Sequence, residues 1–186
     1  MDLKTALFDR IAQTACTLGA TKAAVIPASE VKTDLMFRDM CAANACGMYG
    51  KCWTCPPDIG DAETLIAELS GYDYVLVYQY IGTLEDSYDF EGMTDAKRAH
   101  GAISKALRTA ICDPAIRKTL HLGAGGCGVC AVCAKRERKP CRAPQLAMSS
   151  LEAYCIHVSE LAKSAGMRYI NGENTVTYFG AVFFSL

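Results

Sequence analysis

Apolar positions along the chain recur first at helical spacing and then at strand spacing, and the alternation repeats nearly to the end. Leu3, Leu7, Ile11, Ala15 and Leu18 fall on one face of a helix that Gly19 is placed to stop. "KAAVIP", residues 22–27, reads as a short buried strand. A second helical segment is predicted from about Ser29, a candidate N-cap. From Cys41 to Gly60 the periodicity vanishes into a loop rich in Cys, Gly and Pro. Asp61 then caps "AETLIAELSGY", and "YDYVLVYQYIG", residues 72–82, is the clearest strand, its branched and aromatic side chains suited to a buried ribbon. Thr94 or Asp95 opens a longer helix, "AKRAHGAISKALRTAI", which Pro114 interrupts or ends.

A second break in periodicity follows "HLGAGG". Ser149 or Ser150 then opens "SSLEAYCIHVSELAKSAG", a predicted helix with capping-box chemistry from Ser149 to Glu152 and a glycine near its end. The tail "MRYINGENTVTYFGAVFFSL" reads as two strands joined at Asn171-Gly172, a hairpin turn signal. The expected fold is α/β: a single domain over 1–186 with a mixed sheet, a C-terminal antiparallel hairpin and two cysteine-rich metal-binding loops at about 41–60 and 123–144. Strand order is not legible, and no internal repeat, low-complexity tract or linker interrupts the chain.

Composition changes this picture at one point. Of 186 residues, 51% are hydrophobic, enough for a core without disulfides, and the net charge of −1 points to neither nucleic acid nor a membrane surface. Eleven cysteines are the outlier. The first twenty residues place Asp2, Lys4, Asp9 and Arg10 among their apolar positions, so they lack a secretory apolar segment, and no apolar run reaches the ~18 residues of a membrane span. A cytoplasmic protein is expected, where clustered thiols serve metal or redox chemistry more often than disulfides.

Eight of the eleven form two groups of four. In the second, "GGCGVCAVC", Cys127, Cys130 and Cys133 are each separated by two residues, so consecutive thiolates can turn onto different corners of one cubane. Gly125, Gly126 and Gly128 let the backbone come close enough to aim N–H groups at sulfur, and Cys141 supplies a fourth thiolate. Zinc more often takes two separated knuckles, because two pairs grip a tetrahedral ion. This group therefore reads as a [4Fe-4S] site, with zinc as the alternative. The first group, Cys41, Cys46, Cys52 and Cys55, reads as a second metal centre. A redox dithiol at Cys52/Cys55 is its rival, although Pro56-Pro57 denies the motif the helix that thioredoxin-type dithiols open. Cys16, Cys112 and Cys155 sit singly and are expected to be buried structural thiols.

"ACGMYGKCWTCPP", "GGCGVCAVC", "KPCRAP" and "SSLEAYCIHV" together resemble a family described as predicted metal-binding proteins, domain of unknown function 2284, cysteine-rich and found largely in anaerobic prokaryotes. The resemblance runs from about Cys41 onward. It implies that Cys46, Tyr49-Gly50, Cys55-Pro56-Pro57, Cys127, Cys130, Cys133 and Cys141-Arg142 are signature positions, with Cys41 matching a further family cysteine. Two departures stand out: Cys52 falls at a variable position, and Cys155 where relatives tend to have glycine. The family has no settled activity, so the resemblance supplies no reaction.

The run "KRERKPCR" sets five positive charges against Glu137 and is read as solvated compensation for an anionic cluster, with docking of an acidic redox partner as the sharper reading. It lacks the interleaved aromatics of a nucleic-acid site. Among the histidines only His121 lies near enough in sequence to a cysteine loop to support a ligand, while His100 and His157 add little. No phosphate-binding, dinucleotide or serine-nucleophile motif is present. The expectation is two [4Fe-4S] clusters serving electron transfer or a cluster-based redox reaction with a redox partner protein or a small-molecule substrate. The alternative is a zinc-stabilised interaction module.

Overall fold

A computed structural model describes residues 3–186. Its centre is one five-stranded sheet built from β1 (Lys22–Pro27), β2 (Tyr74–Thr83), β3 (Lys118–Gly123), β4 (Ser149–Ser150) and β5 (Thr175–Ser185), in the order β1-β2-β5-β3-β4. All neighbours are antiparallel except β3 and β4, so the sheet is mixed, as the sequence suggested. β2 and β5 pair along their length, from Tyr74 opposite Phe184 to Thr83 opposite Thr175.

The alternation of side chains along these strands sorts the core into two layers. Val75, Val77, Ala181 and Phe183 point to the face covered by α3 (Ala62–Leu69) and α5 (Val158–Ser164). Leu76, Tyr78, Val182 and Phe184 point to the face covered by α1 (Leu3–Thr17) and α4 (Phe90–Ala110). α1 buries Leu7, Ile11 and Ala15, one side of the helix, and ends at Gly19, whose φ of +108° needs a residue without Cβ. The side chain of Asp61 accepts from Thr64 N–H at 2.9 Å and starts α3 as expected. Close packing sets α4 on the sheet: a Cβ on Gly82 of β2 would stand 2.5 Å from the Cβ of Ala96.

Four expectations change. The segment after Ser29 makes one 3₁₀ turn, Ala28–Glu30, and the helix proper, α2, spans Met36–Ala42, so Cys41 sits on a helix rather than in a loop. α4 begins four residues before Thr94, because Asp89 accepts from Gly92 N–H at 2.7 Å. The helix read from Ser149 to Gly166 is broken into β4, a 3₁₀ turn at Glu152–Tyr154 and α5. Asp34 N–H donates to Cys155 O and His157 N–H donates to Lys32 O, both at 2.8 Å, and these tertiary bonds replace the helical ones. The C-terminal hairpin is absent among the described residues: residues 167–171 form no strand, and β5 pairs instead with β2 along its length and with β3 over Ala181–Ser185. No helix among the described residues is long and apolar enough to cross a membrane.

Candidate metal centre

Both cysteine segments lie at the end of the sheet where β3 stops. Residues 124–148 leave β3 and return as its parallel neighbour β4, with Leu122 opposite Ser149 and Gly123 opposite Ser150. A short 3₁₀ turn, Ala134–Glu137, reverses at Arg138 (φ +56°). Arg142 then reaches back, Nη1 donating to Val132 O at 3.1 Å and Nη2 meeting Glu137 at 3.3 Å, which folds Cys141 toward the earlier thiols. Cys127, Cys130, Cys133 and Cys141 line one cavity of about 210 Å³, together with Cys52, Lys97, Arg136 and Arg142. All four are half-buried.

The backbone of this loop is unusually free. Among the described residues, no backbone bond outside helices and strands is donated by an N–H between Ala124 and Cys133. The loop is half-buried to exposed, and its Cys127 N–H is directed at the sulfur of Cys52, so its backbone can offer N–H groups to sulfur acceptors.

The other segment is held by turns of its own. Asn44 (φ +56°) accepts from Gly47 N–H on its carbonyl and from Tyr49 N–H on its side chain, each at 3.0 Å, bringing Cys46 back beneath Cys41. Gly50 N–H donates to Pro56 O at 2.9 Å and Cys55 N–H to Cys52 O at 3.1 Å, closing the loop that carries these two thiols. Burial, with the neighbouring Cys46, pushes the Cys41 thiol up, against the pull of Arg38.

Cys52 and Cys55 are a coupled pair. Hydrogen bonding from the Cys55 thiol, then from the Thr54 hydroxyl and the N–H groups of Thr54 and Cys127, holds Cys52 below the ordinary thiol range against the opposing effect of burial. Cys55, the donor, keeps its proton well above that range. Cys52 is 2% exposed, and it belongs to both groups at once: bonded to Cys55 and walling the cavity of the other four.

Side-chain contacts also tie the two segments together. Trp53 Nε1–H donates to Lys139 O at 3.0 Å, Lys135 pairs with Asp58 and stands 4.4 Å over the Trp53 ring, and Met48 packs against Gly126. Much of the basic run is consumed in these contacts, since Lys139 and Arg142 both bind Glu137. Lys135 is thus structural rather than solvated. Cys41 and Cys46 line a separate, wider cavity of about 510 Å³ with Glu152, His157 and Tyr169.

The remaining positions fall outside. Cys155 is fully buried at φ +59°, the left-handed region where glycine is at home. Cys16 is half-buried, and Cys112 is exposed beyond the end of α4, not the buried helical thiol expected. His121 stands opposite Val182 on the α4 face of the sheet, and burial, with Arg108, lowers it to about 4. What the sequence reading missed is Lys97, which lines the four-cysteine cavity from α4. Its signal was present in the spacing Lys97, Gly101, Lys105, Arg108, a polar stripe at helical period beside the buried one.

Among the described residues no three His, Cys, Asp or Glu side chains meet at a point a single ion could occupy. The four-cysteine cavity is walled mostly by apolar side chains, with Thr54 and the cations Lys97, Arg136 and Arg142 among them. No curated protein and no solved structure matches this chain. The sequence model of the family described as predicted metal-binding protein (DUF2284) matches residues 24–184, which include all eight grouped cysteines, and the chain belongs to that family.

Proposed function

We propose that this metal-binding protein is an iron–sulfur protein with two [4Fe-4S] clusters, acting in electron transfer or a cluster-based redox reaction. One cluster rests on Cys127, Cys130, Cys133 and Cys141, the other on Cys41, Cys46, Cys55 and Cys52. The observation that carries the reading is the four-thiol cavity of about 210 Å³ beside a loop whose N–H groups from Ala124 to Cys133 donate, among the described residues, no backbone–backbone bond outside helices and strands. Cations at Lys97, Arg136 and Arg142 offset the negative charge a tetrathiolate cluster brings. When bound, such clusters supply one-electron chemistry that zinc lacks. Contact between the segments through Cys52 suits passage of electrons from one centre to the other, and then to a redox protein or small molecule. Eleven unpaired thiols suit the reducing cytoplasm.

Separate serine substitutions test the assignment. In protein purified without air, Cys130→Ser should cost about half the iron, and Cys52→Ser should cost the other half. A Cys52→Ser variant with unchanged iron, sulfide and spectrum removes Cys52 from the ligand set. Stoichiometric zinc retained through both substitutions supports a structural scaffold instead.

A further inference from the structure

A second cavity of about 260 Å³, which shares Lys97 and residues 126–129 with the four-thiol cavity, lies between α4 and residues 123–129. Its charge is one-sided. Lys97, Arg98 and Lys105 line it, and among the described residues no carboxylate does. Arg98 is paired at the rim with Asp95, at 2.5 Å, whereas Lys97 and Lys105 form no ion pair among the described residues. Lys97 Nζ stands 3.1 Å from the point where a Cβ on Gly125 would lie, so its ammonium is held against the loop.

The inner end of this cavity carries a polar group that nothing in the fold uses. His100 lines it, is 2% exposed, and its Nε2 has no hydrogen-bond partner. The ring is fixed by stacking on Tyr78, with centroids 5.5 Å apart and planes at 20°. Tyr78 donates to Ser104 Oγ at 2.8 Å, and Ser104 donates to the carbonyl of His100 at 2.9 Å, so ring and backbone are clamped from two sides. Burial lowers His100 to about 4, which keeps the imidazole neutral and its Nε2 available as a hydrogen-bonding group at ordinary pH. Gly101, one residue on, leaves open space where a side chain would enter, and glycine in a helix interior is otherwise unfavourable.

We propose that this cleft binds a small molecule bearing a carboxylate or phosphate group, with Lys97 and Lys105 as its counter-charges and His100 Nε2 as its hydrogen-bonding partner. Size limits the ligand, because the cleft is smaller than the pockets that take drug-sized molecules. Binding here does not depend on which metal the cysteines hold. The redox role of the ligand does rest on the iron–sulfur reading: Cys127 belongs to the cleft's wall as well as to the four-thiol cavity, so the bound anion lies against a cluster ligand. The small-molecule partner of that reading is then an organic oxyanion.

Equilibrium dialysis of the anaerobically purified, metal-containing protein against inorganic phosphate and against malonate tests this. Saturable binding of one probe at millimolar concentration is expected, with its choice separating a phosphate from a carboxylate. Lys105→Ala and Gly101→Leu should each weaken it about tenfold or more, with the metal content and helicity of wild type. Lys105 lines only this cleft, so its loss leaves the four-thiol cavity intact. Lys163→Ala, on the exposed side of α5, should change nothing. Absence of saturable binding for both probes overturns the proposal, and so does binding that Lys105→Ala and Gly101→Leu leave unchanged. Anion binding that persists in a protein holding zinc without sulfide supports the cleft while removing the iron–sulfur reading.

Discussion

Trp53 donates its indole Nε1–H to the carbonyl of Lys139 at 3.0 Å, joining two cysteine segments that are 86 residues apart in sequence. The same ring lies under the Lys135 ammonium, which pairs with Asp58. One aromatic side chain thus links the segments by packing, charge and hydrogen bonding together. Trp53→Phe keeps a ring beneath Lys135 and removes only the N–H, and its expected cost is ~1 kcal/mol of unfolding free energy. Trp53→Ala also opens a void between the loops and should cost ~3 kcal/mol. Urea denaturation of the two variants checks the order, and equal losses would mean that the indole hydrogen bond and the ring packing are not separable.

Cys155 occupies a glycine position in all but name. Its φ of +59° costs an ordinary residue ~1 kcal/mol or somewhat more, while its small, fully buried side chain contributes a stabilisation of similar size. Cys155→Gly should therefore shift stability by less than ~1 kcal/mol and leave metal content unchanged. Metal analysis with a thermal melt decides it, and loss of metal would make Cys155 a ligand.

Burial holds both His100 and His121 at about 4, the latter with help from Arg108. The unfolded chain, with histidines near ~6.5, takes up protons first as pH falls. Their contribution is thus complete above ~6.5 and is lost on the way down to about 4, at ~1.4 kcal/mol per pH unit for each histidine. Denaturation curves at pH 7.5 and 5.5 should show this decline, and His100→Phe should reduce its slope. An unchanged slope in that variant would show that His100 is not the group taking up the proton.

The parts of the fold set by local chemistry were legible in the chain. Gly19 ends α1, Asp61 caps α3, and the continuous apolar run at Val75–Tyr78 is the sheet's interior. Where tertiary bonds compete with local ones, the reading failed. Serine capping chemistry does operate after β4, but it is Ser150 that accepts from Ala153 N–H, at 3.1 Å, and it starts only one 3₁₀ turn before the left-handed Cys155. Asn171-Gly172 looked like a hairpin turn. Instead Asn171 Nδ2 donates to Arg168 O and Thr177 Oγ1, and β5 takes its partners from β2 and β3.

The site divides in the same way. Spacing alone grouped Cys127, Cys130, Cys133 and Cys141, because they share one loop around one cavity. Contact between the two cysteine segments depends on Trp53, Lys135 and Asp58, whose pairing carries no local signal. Lys97 and His100 were hidden for another reason: they enter from α4, and their relation to the cysteine loop exists only once that helix is laid on the sheet.

The most direct test of the account is elemental: iron, zinc and acid-labile sulfide in protein purified without air, with the visible spectrum before and after dithionite. The account predicts about eight iron and eight sulfide per chain, with charge-transfer absorption that bleaches on reduction. A colourless protein holding stoichiometric zinc and no sulfide would contradict it.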